Sequence, residues 1–189
     1  MLLDLEAIRD PNRAGQAYAL MFVTPIRPGA EDMLRATLEA LRDHDDASPF
    51  EQLDRTHFAR FVICEDFVTA KGQPHEDRLG CQYLLFTCCV DGEPDSYLEQ
   101  LTTELGPITE RIYRHCIGAP IPSSGPELVA YLRHNQIDSG LFFSAYPEWR
   151  VPDVRRVLAH QRTMRRLAVD AHTMSPAELQ QAFLTEIPG

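Results

Sequence analysis

The chain has 189 residues, 44% of them hydrophobic and 24% charged, and 28 acidic against 18 basic side chains leave a net charge of −10. That composition is ordinary for one folded soluble domain spanning 1–189 and excludes general disorder, collagen-like repeats and a coiled coil. No apolar run approaches the ~20 residues that cross a bilayer, and net acidity argues against a general nucleic-acid binder, whose phosphate contacts need a basic surface.

Taken in chain order, Ala17 to Thr24 (AYALMFVT) is the first strong apolar run, closed by Pro25 and the Pro28-Gly29 turn pair, and is expected as a strand. From Ala30 to Asp43, Leu34, Leu38 and Leu41 recur at helical spacing behind Glu31 and Asp32, the acids a first turn favours. Thr56 to Cys64 (THFARFVIC) is rich in β-branched and aromatic residues. It alternates His57, Ala59, Phe61 and Ile63 with Phe58, Arg60, Val62 and Cys64, so a second strand is expected. Tyr83 to Val90 (YLLFTCCV), ending at Asp91-Gly92, reads as a third and central strand. Between Pro94 and Cys116, Leu98, Leu101, Leu105, Ile108 and Ile112 step by three and four, with Gly106-Pro107 predicting a kink or a break.

After the proline-rich IGAPIPSSGP loop, Glu127 to His134 is expected as a short helix and Leu141 to Tyr146 (LFFSAY) as a fourth strand. Val154 to Ala171 reads as a helix turning Val154, Val157, Leu158, Met164 and Leu167 toward the core. A terminal helix then starts at Ser175-Pro176, with Ser175 as N-cap. The order predicts an α+β fold, a ferredoxin-like β-α-β-β-α-β sandwich with an inserted helix and C-terminal helices. Such a sheet leaves one face open, several hundred Å2 of apolar surface that monomers rarely carry, and a homodimer is expected to bury it.

The five cysteines, Cys64, Cys81, Cys88, Cys89 and Cys116, form no C-x-x-C pair, and the N-terminus has no signal-peptide pattern, so reduced thiols in a cytoplasmic protein and no structural metal are expected. The basic residues are concentrated: Trp149 to Ala168 holds Arg150, Arg155, Arg156, Arg162, Arg165 and Arg166 against one Asp, a local +5 in a remainder near −15. Something negative is expected to face them, either the acidic stretch Glu31 to Asp46, its copy in a dimer, or a bound anion; solvent-screened arginines are the plain reading.

The stretches SPFEQLDRTHFARFVI, FTCCVDGEPDSYLEQL and HCIGAP resemble, over roughly Ser48 to Pro120, poorly characterised bacterial and fungal proteins of ferredoxin-like, dimeric α+β barrel type. THFARF and the V-D-G-x-x-x-S-Y-L turn carry most of that resemblance. It implies the fold and a link to oxidative or secondary metabolism, and transfers no catalytic residue.

Candidate chemistry rests on few residues. His57 is an acid/base candidate supported by a carboxylate such as Asp91, or else a strand-start residue; period-two alternation puts Arg60, three residues on, across the sheet from it, a substrate-binding candidate or else an ion-pair partner of an acid on the dimer surface. Arg111, Arg114 and His115 share a helical face near a helix C-terminus, where the dipole alone favours cations and an anionic substrate is the sharper reading. Tyr146, ending the expected fourth strand, is a pocket-wall candidate. His160, among arginines, has the setting of a haem axial ligand with propionate partners, although a surface histidine and no cofactor is the favoured reading. Phosphate-loop, nucleophile-elbow and H-E-x-x-H motifs are missing from the sequence. The expectation is a protein binding a small apolar or aromatic molecule between sheet and helices, with catalysis centred on His57, Asp91 and His115 if it is an enzyme. Otherwise it is an accessory subunit docking an acidic partner.

Overall fold

The structure, a computed structural model, describes residues 10–42, 48–68, 72–75, 77–122 and 125–186. The chain divides into two compact units, Met1–Glu148 and Trp149–Gly189, taken here in turn.

The first unit is mixed α+β. A two-residue strand β1 (Arg13–Ala14) precedes β2 (Ala17–Pro25), α1 (Glu31–Arg42), a 3-10 turn over Pro49–Gln52, β3 (Thr56–Cys64), β4 (Tyr83–Asp91), α2 (Pro94–Glu104), α3 (Gly106–Tyr113) and α4 (Gly125–His134). The sheet is antiparallel in the order β1-β2-β4-β3. The expected break at Gly106-Pro107 is real: Leu105 leaves helical geometry and Pro107 enters a new first turn, where its missing N–H costs nothing. Asp43, expected at the end of the first helix, lies outside the described residues.

Alternation sorts the strands. Tyr18, Leu20 and Phe22 of β2 and Leu84, Phe86, Cys88 and Val90 of β4 turn to one face, and Leu34 of α1, Leu98 and Leu101 of α2, Ile112 of α3, and Leu128 and Leu132 of α4 close over it. Rings of Phe61 and Phe86 stack at 4.5 Å between centroids, with Phe22 and Phe50 at 6.0 and 5.9 Å from Phe86. The opposite face carries Ala19, Met21, Val23, Leu85, Thr87, Phe58, Arg60 and Val62.

Leu141 to Tyr146 forms no strand. The outer edge of β2 is already used: β1 pairs with Ala17 and Tyr18, while the Ile137 N–H donates to Met21 O at 2.9 Å and the Val23 N–H to Asn135 O at 3.0 Å, leaving only an isolated bridge, Phe22 with Gln136. With the outer edge of β2 taken, LFFSAY is irregular and Leu141 and Phe143 stay exposed.

The second unit is a helical hairpin, α5 (Val151–Asp170) and α6 (Pro176–Glu186). The expected capping at Ser175 is present: its Oγ accepts from the Glu178 N–H while Glu178 Oε2 accepts from the Ser175 N–H. The expected burial on α5 fails. Leu167 is buried, but Val157, Leu158 and Met164 are exposed, because two helices have too little mass to cover every apolar side of each other.

Candidate functional site

Two features of the first unit draw on residues of β3. The first is a groove of about 450 Å3 lined by Arg35, Leu38, Glu39 and Leu41 of α1, Ser48 to Phe50 of the 3-10 turn, Ala59, Arg60, Phe61 and Ile63 of β3, and Ile108 of α3. It exists because β3 is an edge strand, so its flank is met by helix side chains rather than by another strand. Its wall is mainly aliphatic and aromatic, with Arg35 held by Glu65 at 2.5 Å.

The second is an imidazole–carboxylate pair. Thr56 and Phe58 oppose the consecutive residues Val90 and Cys89, which leaves His57 as the extra residue of a β-bulge. Its Nε2 lies 2.7 Å from Asp91 Oδ1, with the two side chains 24% and 7% exposed. A proton on Nε2 is donated to the carboxylate, and the neutral ring keeps its Nδ1 lone pair to accept another. Asp91 is itself fixed. Its N–H donates to Arg55 O at 2.9 Å, and its carbonyl accepts from Arg55 Nε and Nη2 at 2.8 and 2.6 Å. Remaining guanidinium donors hold Glu93 O and Ser96 Oγ, so Arg55 ties the β4–α2 turn to the start of β3.

The bulge corrects the expected facing of β3. Arg60 Nε donates to Thr87 Oγ1 at 2.9 Å, and Thr87 and Asp91 lie on the same side of β4, so Arg60 and His57 share the open face rather than opposing each other. An inserted residue shifts the period by one, which alternation alone does not reveal.

His115 is not part of this constellation. Asp91 pairs with Ala17 at one end of β2, whereas Cys116 bridges Ile26 past the other end, about 30 Å away at strand rise. There the Arg27 N–H donates to His115 O and Arg27 Nε to Cys116 O. Burial, and after it the charges of Arg114 and Arg27, lower the His115 pKa from its ordinary 6.5. Arg111 and Arg114 are exposed. Tyr146 is 71% exposed in the irregular segment, so its expected place in a pocket wall is withdrawn with the strand that was to carry it.

His160 sits half-buried on α5, and the apolar groove of that unit, lined from Met164 to Leu184, does not include it; these surroundings do not fit a haem axial ligand, which needs an enclosing apolar cavity. Two arginines of α5 find acids inside their own unit, Arg156 with Asp153 and Arg166 with Glu186, while Asp43 to Asp46 lie outside the described residues.

All five cysteines are free thiols. Burial, with the Asp91 carboxylate second, pushes Cys89 up to about 11, burial pushes Cys116 up to about 11, and Cys88 is raised further, so none of the three is a ready nucleophile. Among the described residues no group of three or more His, Cys, Asp or Glu is placed to hold a metal ion, and no helix is long and apolar enough to cross a membrane.

Sequence reasoning missed the groove residues Arg35, Phe50 and Ile108 and the clamp Arg55. Only the packing of α1 and the 3-10 turn against an edge strand brings the first three together. Comparison with protein-family models, with curated proteins and with solved structures finds no match to this chain.

Proposed function

We propose that the protein binds a small, mainly apolar or aromatic molecule in the groove between α1, the 3-10 turn and β3. The observation that carries this reading is the groove itself: about 450 Å3, within the ~300–1,000 Å3 usual for small-ligand sites, floored by Phe50, Phe61 and Ile63 and edged by Arg35 and Arg60. Those guanidiniums favour a ligand with a carboxylate or another anionic group at one end.

A second reading is favoured by the His57–Asp91 pair, which stands on the open face of the sheet, outside the lining of the groove. Here His57 takes a proton through Nδ1 from a substrate held on that open face while Asp91 steadies the imidazolium, the division of labour of a general base and its orienting acid.

The fold supporting both is ferredoxin-like: β4 lies between β2 and β3, and the fourth strand is reduced to the bridge of Phe22 with Gln136. The resemblance over Ser48 to Pro120 adds a setting in oxidative or secondary metabolism. Free thiols favour a cytoplasmic location. The protein acts as a homodimer, a reading supported by exposed apolar side chains on β3 (Phe58, Val62) and on the C-terminal helices.

The test is titration of the full chain with 1-naphthoate and decanoate, followed by amide NMR shifts. Saturable shifts confined to α1, the 3-10 turn and β3, weakened at least tenfold by Ala59→Trp with an unchanged melting temperature, support the groove. Shifts that do not saturate for either probe, or that Ala59→Trp leaves untouched, overturn it. For the second reading, His57→Gln keeps binding and removes any turnover of the bound compound.

A further inference from the structure

The C-terminal hairpin is an incomplete core. At 1.5 Å per residue the 20-residue α5 is about 30 Å long and the 11-residue α6 about 16 Å, so α6 covers only about half of α5. Beside the covered half lies an apolar groove of about 590 Å3, lined by Met164, Leu167, Ala168, Leu179, Phe183 and Leu184 among others. Beyond it, Val157 and Leu158 of the uncovered half stay exposed, and no residue of α6 is buried. A unit of 41 residues, Trp149–Gly189, lies at the size below which a chain rarely closes its own core.

Charge selects the occupant. Within α5, five arginines stand against two aspartates, net +3, and Arg162 and Arg165 have no ion-pair partner among the described residues. Within α6, Glu178 and Glu186 stand against no base, net −2, with Glu186 paired to Arg166 and Glu178 accepting from the Ser175 N–H of the same hairpin. One hairpin therefore carries both signs on two separate helices, each with an apolar side. A copy related by a two-fold axis brings α5 of one chain against α6 of the other, joining opposite signs across an apolar seam, whereas α5 against α5 would stack the arginine rows.

We infer that the hairpin is the contact between two copies of this chain, the two α5–α6 pairs packing as a four-helix bundle with α5 and α6 alternating around it. The inference rests on the homodimer reading above and assigns its surface: the C-terminal groove, not the open face of the sheet. An acidic partner protein would satisfy the arginines but leave Met164, Phe183 and Leu184 without cover, which is why a copy, carrying both chemistries, is the better fit.

The test is light scattering and sedimentation equilibrium on the full-length chain at micromolar concentration, comparing the parent with Phe183→Glu, with Leu184→Arg at a more exposed site, and with Val62→Glu on the open sheet face. The expected result is a parent of twice 21.4 kDa, a dissociation constant raised at least tenfold by Phe183→Glu and by Leu184→Arg at parent-like circular dichroism, and no change with Val62→Glu. A parent mass of one chain overturns both this inference and the homodimer reading. A dimer that Val62→Glu dissociates and the hairpin variants do not keeps the homodimer and overturns the hairpin as its surface. Hairpin variants that lower the melting temperature while the mass stays dimeric also overturn it, since the groove then packs within one chain.

Discussion

Arg55 Nη2 lies 3.1 Å from where a Cβ on Gly92 would stand, and Gly92 has φ +75°, a conformation that L side chains rarely adopt. The same guanidinium nitrogen donates to Asp91 O at 2.6 Å. The turn that presents the Asp91 carboxylate to His57 therefore needs a residue without a side chain and an arginine beside it. Chain direction, charge and the missing Cβ meet at one corner.

Gly92→Ala is expected to cost about 2–3 kcal/mol: roughly 1–2 for the left-handed backbone and the rest for the displaced guanidinium. Gly15→Ala should cost about 3 kcal/mol or more. Its Cβ would sit 2.4 Å from Pro147 O, the carbonyl that already accepts from the Gln16 N–H, and backbone yields less readily than the end of an arginine. Urea unfolding with unchanged m-values checks both; Gly15→Ala proving the milder change would contradict the argument.

Local pattern carried the elements whose partners are their own neighbours. Ala17–Pro25 and Tyr83–Asp91 stand where continuous apolar runs put them, each one residue longer than expected, Thr56–Cys64 stands where period-two alternation put it, and the break at Gly106-Pro107 follows from proline chemistry alone. The pairing of His57 with Asp91 was also legible, since one opens a strand and the other closes its neighbour in an antiparallel sheet. What failed depends on who sits beside whom. LFFSAY has strand composition but the outer edge of β2 is taken by other residues, β1 is too short to leave a pattern, and the bulge at His57 needs the register of Val90 and Cys89 to be seen. On α5, helical spacing located apolar residues without saying what they meet.

Thiol accessibility tests the packing of β4. Cys88, Cys89 and Cys116 are buried, with Cys89 and Cys116 held at about 11, whereas Cys64 and Cys81 are half-buried. At pH 8 Ellman's reagent should titrate two thiols rapidly in the native protein and all five in 8 M urea. Substituting Cys64 and Cys81 by Ser should remove the fast phase. A third rapid thiol in the parent would mean that the sheet opens where the structure closes it.

The last expectation concerns pH. Burial, reinforced by Arg114 and Arg27, lowers the folded-state pKa of His115 from 6.5, so folding favours the neutral ring. As pH falls, the unfolded chain takes up this proton first, which draws the equilibrium toward unfolding. The stability His115 contributes is therefore full above its unfolded value and is lost as pH drops from about 6.5 through the lowered folded value. His115→Gln cannot titrate, and the parent should gain in melting temperature relative to this variant between pH 5 and pH 8. Arg114→Gln, which removes the second cause and leaves burial in place, should narrow that gain without abolishing it. If parent and His115→Gln melting temperatures run parallel from pH 5 to pH 8, the imidazole is as well solvated in the fold as out of it, and the corner it shares with Arg27 and Cys116 is looser than the hydrogen bonds from Arg27 to His115 O and Cys116 O require.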